Sequence, residues 1–349
     1  MVAHWEALLA QHWGIVANLT PLAGEYDLNF LAETASGEGF VLKVMRAGCT
    51  EALVDLQVAA LNHMAQNLSN SLAPSVISTK QNAAFIYSED EAGQRRLLWL
   101  LQKLPGRSYA QTLPKTSALI ADLGRAIGAA DRVLADFHHL ALDRNFKWNL
   151  TQALWIETEL SVIADRERRA ILADIVAGFR AVFSRLQALP SQAVHNDIND
   201  YNVLVSDEFC APRRISGLID LGDMCSAPRI CDLAIAAAYV VLDRPDPETD
   251  LEAMVAGYHA ENRLRTDEID LLWPLLQMRL AVSVVNSTLM AAACPEDPYI
   301  TISQEPAWRF LETCTKAKVL APGLLKARLR AACGFPVTDS AMAIQNYLT

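Results

Sequence analysis

The sequence predicts an α+β protein in two parts, a small antiparallel sheet carrying one helix and then a larger, mainly helical part. Three observations carry this. The chain has 349 residues, more than one hydrophobic core usually serves, so two lobes are expected. Its first third is dominated by short stretches of strand type, interrupted by one helical stripe. Beyond Pro105-Gly106, a strong turn signal, the apolar spacing is that of helices almost throughout. The expected segments are therefore 1–104 and 105–349.

Each element has its own justification. Trp5, Leu8, Leu9, Trp13 and Val16 fall at helical spacing and open the chain with an amphipathic helix. Strands are expected over 26–33 and 39–45, joined at Ser36-Gly37-Glu38-Gly39, whose glycines suit a tight hairpin. Over 51–68 the positions Leu53, Leu56, Ala60, Leu61, Met64 and Leu68 form a helical stripe. Short strands are expected at 76–79, 83–88 and 95–102. Helices follow over 117–142, 166–189, 233–242, 268–293, 308–315 and 320–333, with Asp232 expected to cap the third of these. Two strand-like pieces, 203–205 and 215–219, interrupt them. No internal repeat is visible.

Composition narrows the function. Hydrophobic residues make up 52% and charged residues 20%, values of an ordinary globular chain. A formal charge of -10 argues against general nucleic-acid binding, which draws on a basic face. It is compatible with a cationic substrate. The apolar run 233–242 is about half of what crosses a bilayer, so no membrane span is expected. The opening residues, with Glu6 and no basic start, do not read as a secretion signal. Seven dispersed cysteines without a Cys-x-x-Cys pair read as reduced thiols packed in a core, in a cytoplasmic protein.

Two clusters carry chemistry. The first is Val194-His195-Asn196-Asp197-Ile198-Asn199-Asp200-Tyr201-Asn202, running into the strand 203–205. The second is Leu218-Ile219-Asp220-Leu221-Gly222-Asp223. Each sets oxygen ligands beside a short apolar strand. Phosphoryl transfer needs an acceptor that orients the substrate hydroxyl, and hard oxygens that hold magnesium against nucleotide phosphates. Asp197 suits the first task; Asn202 and Asp220 suit the second. Asx-rich turns explain the first cluster alone, but not its coupling to Asp220. His195 is expected to brace the loop through backbone carbonyls rather than transfer a proton.

His-x-Asp with Asn202 following Asp197, then Asp220-Leu221-Gly222, resembles the catalytic and metal loops of the protein-kinase-like superfamily. No Ala-Pro-Glu follows Asp220, so the resemblance is to the aminoglycoside phosphotransferase and choline kinase branch. Asn199-Asp200, Phe146-Lys147-Trp148-Asn149-Leu150 and Pro298-Tyr299-Ile300 ahead of Pro306-Ala307-Trp308 are similar to hydroxylysine kinases. The resemblance implies a protein-kinase-like fold, Mg2+ as cofactor and ATP or GTP as phosphoryl donor. The acceptor it implies is a hydroxyl on a small amine-bearing metabolite. 5-Hydroxylysine comes first; homoserine, choline, ethanolamine and aminoglycosides are alternatives. A nucleotide-binding pseudokinase acting as an interaction module is the reading from another class.

The resemblance also assigns Lys43, on the strand 40–44, to the nucleotide phosphates; by spacing alone it is equally a solvated strand lysine. The glutamate that usually pairs with such a lysine is missing; Gln57 and Asp55 stand closer to its place than Glu51, and Gln57 is expected to orient the ammonium by a neutral hydrogen bond. Gly24, the single glycine of the turn 22–30, marks where backbone amides approach phosphate, or an ordinary hairpin. Leu100 to Lys103, including Leu101, is expected to give backbone hydrogen bonds to the purine. Asp223 either secures local backbone or, with Asp200, faces the substrate ammonium. Arg279 binds a substrate carboxylate or lies on the surface.

Overall fold

The computed structural model describes residues 2–22, 24, 27–68, 72–207, 212–293, 304–316 and 322–336. The chain divides into two compact units. The first holds Met1–Gly106 with Ser216–Gly222, and the second holds Arg107–Ile215 with Asp223–Thr349.

In the first unit, helix α1 (Val2–Trp13) precedes β1 (Ala17–Leu22), β2 (Leu28–Thr34), β3 (Gly39–Val44), helix α2 (Glu51–Asn67), β4 (Val76–Ile77), β5 (Phe85–Glu89) and β6 (Arg95–Gln102). The strands form one six-stranded sheet in the order β1-β2-β3-β6-β4, with β5 also on β6. Their pairings are antiparallel. Trp5, Leu9 and Trp13 of α1 pack with Leu19, Phe30, Leu42 and Leu98 of the sheet. Val16, expected on that helix, lies past its end and is 80% exposed. β1 was not visible in the sequence. Only Leu19 of its residues is buried and it contains Pro21, so it has neither alternation nor a full ladder.

The second unit contains β7 (Arg107–Ser108), α3 (Ser117–Leu134), α4 (Ile156–Glu159), α5 (Arg166–Gln187), β8 (Gln192–Val194) and β9 (Val203–Val205). β10 (Ile215–Leu218) then leads the chain back to the first unit. After it come β11 (Cys225–Ala227), α6 (Ile230–Val240), α7 (Pro247–Glu261), α8 (Thr266–Ala293), α9 (Gln304–Lys316) and α10 (Pro322–Ala332). The segment Ser216–Gly222 had been expected in the second part. Leu218 N bonds Leu72 O at 2.7 Å and Asp220 pairs with Lys43, which ties it to the first.

Sequence spacing carried the first of these helices to 142; α3 stops at Leu134, and a turn closes from Phe137 N to Leu134 O. α8 is long and apolar enough to cross a bilayer, a length that the run 233–242 had not suggested. Its Ile269, Leu272, Leu276, Leu280 and Val284 are buried, so it serves as a core helix. Cys225 and Cys231 are buried as expected of core thiols, whereas Cys49, Cys314 and Cys333 are only half-buried. Cys210, Cys294 and Pro298-Tyr299-Ile300 lie outside the described residues.

α7 was also missed, despite Asp246 at its N-cap and Pro247 in its first turn. Gly257 in its middle is unfavourable by propensity, and packing explains it. A Cβ there would lie 2.0 Å from Ala121 O of α3, and one at Gly124 of α3 would lie 2.0 Å from Met254 O of α7. The obstacle is backbone, which no rotamer change relieves. Gly257→Val should therefore exceed the roughly 1–3 kcal/mol of ordinary overpacking. Urea unfolding measures it, and a loss below about 0.5 kcal/mol, the range of a neutral surface change, would contradict this packing.

Candidate active site

The candidate residues are divided between the two units. In the first, β3 carries Lys43, which is 6% exposed, and its Nζ donates to Asp220 Oδ1 at 2.8 Å. Asp220 has φ of 64°, a left-handed conformation that Asp tolerates better than most residues. Its side chain is 46% exposed against 8% for Lys43, so the pair is open on the carboxylate side.

Gln57 does not hold the lysine. Its Nε2 donates to Leu53 O at 3.1 Å, and its buried Oε1 has no hydrogen-bond partner. Asp220 supplies the negative partner that the sequence had left missing. The donors expected at Leu101 and Lys103 are also engaged otherwise. Leu101 pairs with Val41 on one side and Val76 on the other, Gln102 N donates to Ser75 O, and Lys103 N donates to Gly39 O. An inner strand of a sheet has its backbone groups satisfied by its neighbours, so the amides at these two positions are engaged within the first unit. Gly24 sits where a Cβ would come within 2.8 Å of Asp27 O, so the turn needs a residue without one. Ala23, Glu25 and Tyr26 of that turn lie outside the described residues.

In the second unit the loop 195–202 runs from β8, which pairs with β11, to β9, which pairs with β7. Asp232 anchors its start. The carboxylate, fully buried, accepts from His195 N at 2.7 Å and Asn196 N at 2.6 Å, instead of capping α6 as expected. Asn196 takes a left-handed φ of 65°, which turns the chain toward Asp197. His195 is buried and its Nδ1 accepts from Asp197 N at 3.3 Å, which braces the loop. Behind Asp232, Tyr258 donates to Asp131 Oδ2 at 2.6 Å. Burial, and then the charge of Asp232, raise the Asp131 carboxyl well above its ordinary range. Burial raises the Asp232 carboxyl as well, an effect that His195 and the two loop amides oppose.

The Asp197 carboxylate is held from two directions. Oδ2 accepts from Asn199 Nδ2 at 3.0 Å and from Asn202 Nδ2 at 2.8 Å, while Oδ1 accepts from Arg279 Nη2 at 2.9 Å. Asn199 Oδ1 also closes an Asx turn by accepting from Tyr201 N at 2.9 Å and Asn202 N at 3.1 Å. Asn202 Nδ2 donates a second bond to Asp197 O at 3.0 Å. Its amide orientation is therefore fixed, and Oδ1, a hard oxygen, faces the other way.

Arg279 is not on the surface, the more ordinary of its two expected places. It is 2% exposed, and its guanidinium lies 4.6 Å from the Trp148 ring centroid and 5.7 Å from that of Tyr239. Burial opposes its charge, but Tyr239 and Asp197, with Asp223 adding to them, hold its pKa above the ordinary value. Trp148 and Tyr239 were not singled out as site residues; the one available signal was the 146–150 motif. Asp200 is half-buried and its carboxyl is raised by burial, an effect that Lys115 opposes. Asp223 follows the Asp220 loop and belongs to the second unit.

A model of the phosphotransferase enzyme family matches residues 18–269. The chain is 27% identical over 335 residues to a hydroxylysine kinase of Mus musculus, covering 89% of this chain and 88% of that protein. To a hydroxylysine kinase of Danio rerio it is 27% identical over 311 residues, covering 86% and 87%. Among solved structures, amicoumacin kinase in complex with AMP-PNP, Ca2+ and Ami matches with a TM-score of 0.64 at 15% identity, covering 97% of this chain and 95% of that one. A microcompartment-associated aminopropanol kinase matches with a TM-score of 0.60 at 16% identity, covering 96% and 100%. These structural likenesses carry the fold, and the protein-kinase-like α+β architecture expected from the sequence is the one found.

Proposed function

We propose, because the chain belongs to the phosphotransferase enzyme family, that it transfers the γ-phosphoryl of ATP or GTP to the hydroxyl of a small amine-bearing metabolite, with 5-hydroxylysine the first candidate. It is a small-molecule kinase, a phosphotransferase acting on a hydroxyl; the acceptor, the donor and the residue roles are our inference. The observation that carries the roles is the Asp197 carboxylate, fixed through both oxygens by Arg279 and Asn202. A carboxylate so oriented can accept the proton of a substrate hydroxyl as the hydroxyl attacks phosphorus.

The donor set fits magnesium. Asp220 and Asn202 offer one carboxylate and one amide oxygen, and magnesium typically takes one or two protein oxygens and completes its shell with water and phosphate. Among the described residues no group of three or more His, Cys, Asp or Glu forms a self-sufficient metal cage, which agrees with a metal shared with a nucleotide. Bound there, the metal would neutralise the phosphate charge. Lys43, whose ammonium is held by Asp220, would then turn to phosphate oxygens. The pseudokinase alternative drew on the missing glutamate, and the Asp220 partner weakens that ground.

Asp200 and Asp223 are our candidates for the acceptor's ammonium. The raised Asp200 carboxyl suits this, since a buried carboxylate gains most from a cation brought to it. The test compares turnover of 5-hydroxylysine, homoserine, ethanolamine, choline and kanamycin with ATP and with GTP, reading nucleoside diphosphate release. We expect the hydroxy amino acids to lead choline by about 10-fold or more, since a quaternary amine has no N–H to offer Asp200 and Asp223 and leaves them unpaired. Preference for kanamycin or choline would remove the acceptor assignment and leave the kinase.

A further inference from the structure

We infer that Arg279 is a positioning residue for the catalytic base, locking the Asp197 carboxylate in its working orientation; this rests on the reading of Asp197 as that base. Arg279 stands within α8, and its Nη2 donates to Asp197 Oδ1 at 2.9 Å. The opposite oxygen is held by Asn199 and Asn202. Donors on both oxygens stop rotation about the Cβ–Cγ bond, which a single donor cannot do. A carboxylate has about four acceptor positions, so this clamp orients it while it remains able to take a proton.

The guanidinium is itself immobilised. It stacks on Trp148, and Nη2 also reaches Tyr239 Oη at 3.3 Å. Arginine stays protonated at all working pH values, so it aims the base without competing for the proton.

Two further facts separate this role from others. Arg279 Nε and Nη1 are buried without any hydrogen-bond partner. Unpaired buried donors are costly, and the ion pair from Nη2 to Asp197 is what offsets that cost here. The same two nitrogens are closed off from solvent, which leaves a substrate carboxylate no open donor there. On this reading Arg279 serves the base and not a substrate carboxylate.

The experiment uses the full chain with Mg-ATP and 5-hydroxylysine. Arg279→Met should lower kcat by about 10–100-fold, the scale on which misplacing a reacting group acts. KM for both substrates should stay within about threefold. Arg279→Lys should recover part of kcat, and added guanidinium should restore part of the activity of Arg279→Ala but none in Asp197→Asn. A raised KM with kcat intact would make Arg279 a substrate anchor and overturn the proposal. So would a lost kcat that neither lysine nor guanidinium recovers. Should Arg279→Met fail to fold, or no acceptor turn over, urea unfolding of Arg279→Lys, Asp197→Asn and the double variant decides. Non-additive changes support the pair, and additive ones overturn it. Turnover retained in Asp197→Asn would remove the base reading itself. Full kcat in Arg279→Met beside an inactive Asp197→Asn would remove only this inference.

Discussion

Asp197→Asn should lower turnover by about 10²–10⁴-fold, the usual contribution of a positioned general base, while nucleotide affinity stays within a few-fold. The variant keeps the size and shape of the side chain. One of its two terminal atoms becomes an amide nitrogen, which cannot accept a proton. Whichever way the new amide turns, that nitrogen meets a donor. On one side stand Asn199 and Asn202, and on the other Arg279 Nη2. The variant thus loses both the proton acceptor and half of the clamp that orients it. Lys43 and Asp220 belong to the other unit and keep their own bond, so nucleotide binding is not expected to follow. Steady-state turnover and a calorimetric titration with Mg-ATP check the two halves of this expectation. Turnover within threefold of the unmodified protein would exclude Asp197 as the base.

Asp220→Ala should fail differently, losing affinity for the Mg-nucleotide together with turnover. Removing a group that only supports a metal ligand typically weakens metal binding by about 10–100-fold, and losing a ligand itself should do at least that. The same change leaves the Lys43 ammonium, 6% exposed, without its carboxylate. The Asp220 side chain is 46% exposed. Solvent therefore already screens the pair, and the fold should lose no more than about 1 kcal/mol. Asn202→Ala should weaken nucleotide binding more mildly, because an amide oxygen is a weaker ligand than a carboxylate, and should also lower kcat by freeing one side of Asp197. Calorimetry with Mg-ATP, and thermal unfolding beside it, separate the two variants. Unchanged nucleotide affinity in Asp220→Ala would show that the metal lies elsewhere.

Much of this protein was legible along the chain because its strongest signals are local. Hairpin glycines, the stripe of α2 and the loop 195–202 each declare themselves within a few residues. Asp197, Asn202 and Asp220 could be singled out because phosphoryl transfer calls for those oxygens beside short strands. Other features were hidden for identifiable reasons. β1 is a mostly exposed strand with a proline, and α7 carries Gly257 because α3 approaches it too closely for a side chain. Asp232 looked like a helix cap because capping is what Asp does at a helix start when nothing else is known. Its actual partners are two amides thirty-odd positions earlier in the chain.

By itself the sequence determined the two-part α+β architecture and the kinase chemistry, and it supplied the candidate oxygen ligands, since each depends on residue type and short-range spacing. Tertiary structure alone decided how those groups are held. Lys43 is partnered by Asp220 from 177 positions away, and Asp197 by Arg279 from 82. Buried charges must find opposite charges or donors. Which ones they find depends on which side chains packing brings near, and no periodicity records that. Packing also decided that Gln57 bonds its own helix and that Leu101 lies inside the sheet. Arg279 read as an isolated cation on a late helix until burial, an aromatic stack and a carboxylate gave it a place.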